Sequence, residues 1–288
     1  MKILGRVKRS GSPAILAGLI ILAFLAACTT QGSLSPQPQA SATPPREITI
    51  AAASDLQFAF QDIAELFEQE TGQHVRLVFG STGLLTQQIE HGAPYDLIAA
   101  ANIGYVERLS AQDLVLDDSI ALYARGRIVL AANRKAGVTA TELADLLDPS
   151  IRHIAIANPE HAPYGVAAQE ALQSAGIWEE LQGKIVRGEN VRQALQYVQS
   201  GDAQVGILAL SVADVPEISW TLVDDDLHEP LDQALAVLAS SKEPDLARQF
   251  ASYINGQAGR PVMRQYGFLL PGEPVVQGVG PATMPEGQ

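Results

Sequence analysis

From Glu47 onward, short apolar runs alternate with segments of helical spacing, and that alternation restricts the chain to an α/β architecture with mainly parallel sheets. Strands are predicted at 48–53, 75–79, 96–101, 127–132, 154–157, 184–187, 205–210, 220–223 and 235–238. Helices are predicted at 55–70, 83–90, 141–147, 166–175, 191–200, 244–254 and 260–266. The first helix carries Leu56, Phe60, Ile63 and Phe67 on one face, at spacings of four, three and four, and Gly72 ends it. So many strand–helix units exceed what one small core needs. Periodicity alone leaves open whether they form one sheet or two.

The stretch before Glu47 has a different composition. Lys2, Arg6, Lys8 and Arg9 precede an apolar run over 14–27, which is too short to cross a roughly 30 Å hydrocarbon core comfortably and reads as a secretion signal. The run ends in Leu25-Ala26-Ala27-Cys28, which resembles a bacterial lipobox, so Cys28 is expected to be the lipidated residue of an anchored, extracytoplasmic protein. Residues 29–46 hold four prolines among Ser, Gln, Thr and Ala, as a flexible tether would. Cys28 is the only cysteine, which excludes an intramolecular disulfide framework. Without the four basic residues of 1–27 the balance is 15 basic against 32 acidic residues, or −17. That charge argues against nucleic acid and against anionic headgroups as partners. It opposes long-range anion steering too, but a desolvated site is decided by the donors within a few ångströms.

Three junctions repeat one design, an apolar strand running into Ser, Thr, Asn or Gly and then at once into a helix: Ala53-Ser54-Asp55, Gly80-Ser81-Thr82-Gly83 and Glu189-Asn190-Val191. The first N–H groups of a helix have no intrahelical partner and sit at the positive end of its dipole, so such junctions bind anions without Lys or Arg. The alternative is local: Ser54 with Gln57, and Asn190 with Gln193, have the spacing of helix caps that serve only their own helix. A fourth segment, 158–165, places Tyr164 at a helix start, where it is either a site residue or a surface tyrosine with its hydroxyl in water. Asp55 reads as a solvated first-turn carboxylate, the alternative being an acceptor for the proton of a phosphate.

At these segments the chain resembles the periplasmic molybdate-binding proteins of molybdate ABC transporters. The motifs are Ala51-Ala52-Ala53-Ser54, the Phe79 to Thr82 turn leading to Gln88-Ile89-Glu90, Gly92-Ala93-Pro94 with Asp96, Pro159-Glu160-His161, Asn190-Val191-Arg192 and Tyr266-Gly267-Phe268. The resemblance implies a two-lobed type II periplasmic-binding-protein fold with a ligand cleft between lobes. The lobe boundaries it suggests are 47–124 with 225–272 for the first lobe and 125–224 for the second, leaving 273–288 as a tail. It implies no catalysis and no cofactor: the ligand is molybdate or tungstate, and the partners are a permease and its ATPase, served by a monomer. The oxyanion positions carry over to Ser54, Ser81 or Thr82, Tyr164, and Val191 through its N–H. There is one departure. Some members place a tyrosine at the position of Ala209, and Tyr164 is expected to supply the missing hydroxyl from the facing loop.

Molybdate, tungstate and sulfate are fully deprotonated near neutral pH and suit a cage made only of donors; sulfate differs mainly in size and stays an alternative ligand. The histidines at 74, 91, 153, 161 and 228 lack metal-ligand spacing, His161 being read as a support of its loop, and Asp224-Asp225-Asp226 lacks the spacing of a calcium loop. No Gly-x-Ser-x-Gly elbow or acid–base pair favours the alternative of an enzyme on this fold. A tethered sensor is the remaining alternative.

Overall fold

The computed structural model describes residues 45–273; the expected signal segment, Cys28, the tether up to Pro44 and the tail from 274 onward lie outside the described residues. Arg46, expected in the tether, already belongs to the folded body: its N–H donates to Gln73 Oε1 at 2.8 Å and its guanidinium meets Glu243 at 3.1 Å.

In chain order the elements are β1 (Glu47–Ala53), α1 (Gln57–Thr71), β2 (His74–Gly80), α2 (Thr82–Glu90), β3 (Leu97–Ala100), α3 (Ile103–Ser110), β4 (Ala121–Gly126), β5 (Ile128–Asn133), β6 (Ile154–Ala157), α4 (Pro163–Ser174), α5 (Trp178–Leu181), β7 (Ile185–Gly188), α6 (Val191–Ser200), β8 (Val205–Ala209), α7 (Leu210–Ala213), β9 (Ile218–Leu222), β10 (Leu231–Val237), α8 (Pro244–Ile254) and α9 (Gly259–Gln265). A short 3₁₀ turn, Ser54–Leu56, joins β1 to α1. Gly72, at φ 68°, ends α1 in the left-handed conformation that glycine adopts without a Cβ penalty, and its N–H returns to Glu68 O.

Two five-stranded sheets form, in the orders β2-β1-β3-β10-β4 and β7-β6-β8-β5-β9. They are mixed, not mainly parallel. β1 runs parallel to β2 and β3, and β6 parallel to β7 and β8, whereas β10 runs against β3 and β4, and β5 against β8 and β9. The antiparallel strands are those next to a crossing between sheets. The chain crosses once at Arg127, between β4 and β5, and returns between β9 and β10. A strand arriving from the other sheet enters from the far end and so runs against its neighbours.

One continuous apolar core includes β1 and α1 residues such as Ile50 and Phe60 and second-sheet residues such as Val129 and Ile156. A second cluster fills the other face of the first sheet, where Leu85 and Ile89 of α2 and Val106 and Leu109 of α3 pack on it. α3 and β4 go beyond the predicted elements. The segment predicted helical at 141–147 is a 3₁₀ turn over Leu143–Leu147, and α4 begins at Pro163, earlier than the predicted 166. Proline fits the first helical position, where its missing N–H leaves no bond unmade, and this puts Tyr164 at a helix N-terminus.

Candidate functional site

Parallel pairing with aligned ends brings the junctions together. Ala53 pairs with Gly80 at the C-terminal ends of β1 and β2, so Ser54 and Ser81 leave the first sheet side by side. Ala157 pairs with Gly188 at the ends of β6 and β7, so the loop leading to Tyr164 and the Asn190 cap leave the second sheet together. Ligands of open α/β sheets bind outside such carboxyl ends. The two sets face each other across a cavity of about 190 Å³ including its mouth, lined by Ser54, Asp55, Ser81, Thr82, Tyr164 and Val191 among others. All five residues proposed from sequence therefore border one cavity. Two roomier grooves lie elsewhere, one along Arg125, Asp232 and Glu273 and one along Glu160, Trp178 and Arg187, but neither gathers these junctions.

Ser54 does not act as a cap: neither the 3₁₀ turn nor α1 has a side-chain cap bond, and among the described residues no group pairs with its hydroxyl. Asn190 is a cap, accepting from Arg192 N–H at 3.0 Å and Gln193 N–H at 3.1 Å. That leaves Val191 N–H, at the first position of α6, with no backbone acceptor, as is Tyr164 N–H at the second position of α4. Ser81 reaches across the cavity. Its hydroxyl donates to His161 O at 2.6 Å, so His161 Nδ1, 2.8 Å away, must donate to Ser81 Oγ, and Gly83 N–H meets the same His161 carbonyl at 2.9 Å. His161 Nε2 also lies 3.2 Å from Asn158 Nδ2, so the residue supports its own loop and spans to the facing one. Thr82 Oγ1 accepts from Ala101 N–H at 3.1 Å, and its own hydroxyl hydrogen is uncommitted.

Two sequence expectations are corrected here. Tyr164 is neither a surface tyrosine nor a free hydroxyl for a ligand: it is buried, its hydroxyl donates to Asp55 Oδ2 at 3.1 Å, and it accepts from Gln233 Nε2 at 3.0 Å. What Tyr164 leaves open to a ligand is its backbone N–H. Asp55 is not a solvated carboxylate but 1% exposed, because the 3₁₀ turn before α1 carries it inward. Its Oδ2 also accepts from Gln233 Nε2 at 2.8 Å, while Oδ1 is buried with no partner among the described residues. Burial pushes the Asp55 carboxyl up to about 6, the bonds from Gln233 and Tyr164 only partly opposing the desolvation. Desolvation and the Asp55 charge push the Tyr164 hydroxyl well above its ordinary value.

Gln233 and Tyr123, whose hydroxyl lies 2.9 Å from Gln233 Oε1, complete this buried network from β10 and β4. Sequence reasoning passed over both, since a glutamine in an apolar strand is the sole local hint and its partners lie 69 to 178 residues away. Ser211 adds a hydrogen bond to Asp55 O at 2.8 Å. Asp224 to Asp226 form an exposed turn in which Asp224 accepts from Asp226 N–H at 3.1 Å.

The model of the bacterial extracellular solute-binding protein family matches residues 48–269, which is both sheets from the first strand to beyond the last helix. The chain belongs to that family. It is a family of solute-binding proteins, not of enzymes. Among curated relatives, the molybdate-binding protein ModA of Azotobacter vinelandii is 34% identical over 228 residues, covering 78% of this chain and 90% of the relative. The putative ABC transporter substrate-binding lipoprotein YvgL of Bacillus subtilis is 29% identical over 256 residues, 87% of this chain and 96% of the relative. The solved periplasmic molybdate-binding protein of Azotobacter vinelandii superposes with a TM-score of 0.74 at 31% identity, covering 78% of this chain and 99% of that one. The two-sheet α/β architecture is therefore that of the periplasmic binding proteins.

Proposed function

We propose that this protein is the extracytoplasmic substrate-binding component of an ABC importer for molybdate, taking the oxyanion as its ligand without any cofactor. The observation that carries the reading is the small buried cavity where helix-start N–H groups and hydroxyls converge with no Lys or Arg in its lining. In this reading Val191 and Tyr164 donate their N–H groups, Ser54 and Thr82 their hydroxyls, and Ser81 turns its hydroxyl from His161 O to the anion. The His161 carbonyl then keeps the bond from Gly83. Tungstate, of the same charge and shape, is taken by the same donors. The reading includes a monomer held at the membrane by a lipid on Cys28 through the 28–46 tether, with lobes of 47–124 plus 225–272 and of 125–224. The lipobox, and the likeness to a substrate-binding lipoprotein, support the anchor.

Titration calorimetry tests the ligand. Molybdate should bind tightly and sulfate at least about tenfold more weakly, a gap of about 1.4 kcal/mol; equal affinities would reject molybdate as the preferred ligand. The backbone donor can be tested on its own by Val191→Pro. Proline is well suited to the first helical position, and Asn190, at φ −148° and ψ 175°, already has the extended conformation that a residue before proline needs. Loss of one hydrogen bond to a charged acceptor should weaken molybdate binding by about 10- to 150-fold, roughly 1.5 to 3 kcal/mol, with the fold retained. Unaltered affinity in the folded variant would remove Val191 from the site.

A further inference from the structure

Asp55 is an anomaly in a site built to hold an anion. It lines the cavity, it is 1% exposed, and one of its oxygens has no partner among the described residues. A buried acceptor left unpaired is unfavourable, and a second negative charge beside a bound dianion in a desolvated cavity is more so. Both problems vanish if Oδ1 carries a hydrogen. Oδ2 already accepts from Tyr164 and Gln233, so Oδ1 is the oxygen left for the proton. Protonation turns this orphaned acceptor into a further donor, as with a carboxylic acid kept neutral by an apolar site so that it can donate.

We infer that Asp55 is a proton-linked contact of the binding site: it is neutral when a fully deprotonated oxyanion is bound, and binding takes up one proton there from solvent. This rests on the oxyanion reading above and adds to it a rule of selectivity. With its proton on, Asp55 favours molybdate-like dianions; with its proton off, it repels them and suits an oxyanion that keeps a hydrogen of its own.

The elements around Asp55 offer few other sources of such linkage. Tyr123 on β4 and Tyr164 on α4 are both held neutral, their hydroxyls pushed well above the ordinary value by burial. Arg192 on α6 has buried Nε and Nη1 atoms without partners and a guanidinium 4.7 Å from the Phe58 ring centroid, and Arg127 at the crossing donates to Gly267 O. α7 brings Ser211 and no charge, the first charge on α1 is Asp62, bonded to Tyr266, and the titratable groups of β2, His74 and Arg76, are exposed. Across the cavity His161 is the group to separate from Asp55 experimentally.

Since the free carboxyl titrates at about 6, molybdate affinity should fall by up to about tenfold per pH unit between pH 6.5 and 8.5. At pH 7.5, calorimetry with molybdate in buffers of different ionisation enthalpy should give an uptake close to one proton per anion. Asp55→Asn, whose amide donates at every pH, should bind with affinity that is flat over this range and no proton uptake, whereas His161→Gln should keep the wild-type slope. A flat wild-type profile, or the same slope in Asp55→Asn, overturns the inference while leaving the oxyanion assignment standing. Absence of molybdate binding by the wild type at every pH overturns both.

Discussion

Gly126→Ala is expected to destabilise the protein by about 3 kcal/mol, although the change adds a single methyl group. A Cβ at this end of β4 would lie 2.1 Å from the Tyr164 hydroxyl and 2.9 Å from Gln233 Nε2. Those two atoms, with Asp55 Oδ2, form a closed triangle of hydrogen bonds at 2.8 to 3.1 Å. Tyr164 is buried, so its ring cannot swing into water, and displacing it leaves the Asp55 carboxyl short of a donor where desolvation is most costly. Urea unfolding at pH 7.5 measures the loss. Adding Tyr164→Phe to Gly126→Ala removes the 2.1 Å contact, but it also takes away the donor to Asp55 and leaves the ring carbon 2.9 Å from the new Cβ, so the double variant should lose clearly less than the sum of the two single losses. A single variant within about 0.5 kcal/mol of the wild type would mean that the Tyr164 hydroxyl is not held against Gly126.

At pH 7.5 and without ligand, Asp55→Asn should be more stable than the wild type by about 3 kcal/mol. The folded-state value of about 6 lies above the ordinary 3.8, so the folded protein holds this proton more tightly than the unfolded chain does. The stability due to the protonated carboxyl is fully present below about pH 3.8 and is lost as pH rises through about 6; above that the fold carries the cost of a buried charge. Asparagine keeps the shape and an oxygen for Tyr164 and Gln233 and never ionises. The gain should therefore be near its full size at pH 7.5 and close to zero at pH 4, as read by unfolding at the two values. An equal gain at both, or a loss at pH 7.5, would show that Asp55 is not strained by its charge. Sites that bind ligands commonly retain such a cost in the empty protein.

The 3.6-residue spacing of Leu56, Phe60, Ile63 and Phe67, the Gly72 end signal and the strand-to-helix junctions were legible in sequence because each is set by neighbours within one or two turns. For the same reason Asn190 could be recognised as a cap and the junction it closes as a bearer of free N–H groups, since a helix start leaves its first donors unpaired wherever the helix lies; the choice of Val191 among them came with the resemblance. That Ser54, Ser81, Tyr164 and Val191 would meet was supplied by family resemblance. In the structure the cause is physical: parallel pairing of β1 with β2 and of β6 with β7 brings the strand ends into line.

The state of Asp55 and Tyr164 was decided by tertiary structure alone. On pattern, a carboxylate in a first turn belongs in water, and a tyrosine at a helix start has even claims on the surface and on a ligand site. Asp55 is instead enclosed by Tyr164 from 109 positions away and Gln233 from 178 away. Local sequence determines which groups a helix start offers, because that depends on bonds the chain cannot make with itself over four residues. Which of those groups are desolvated, and hence charged or neutral, depends on what distant strands bring beside them, and no periodicity records it.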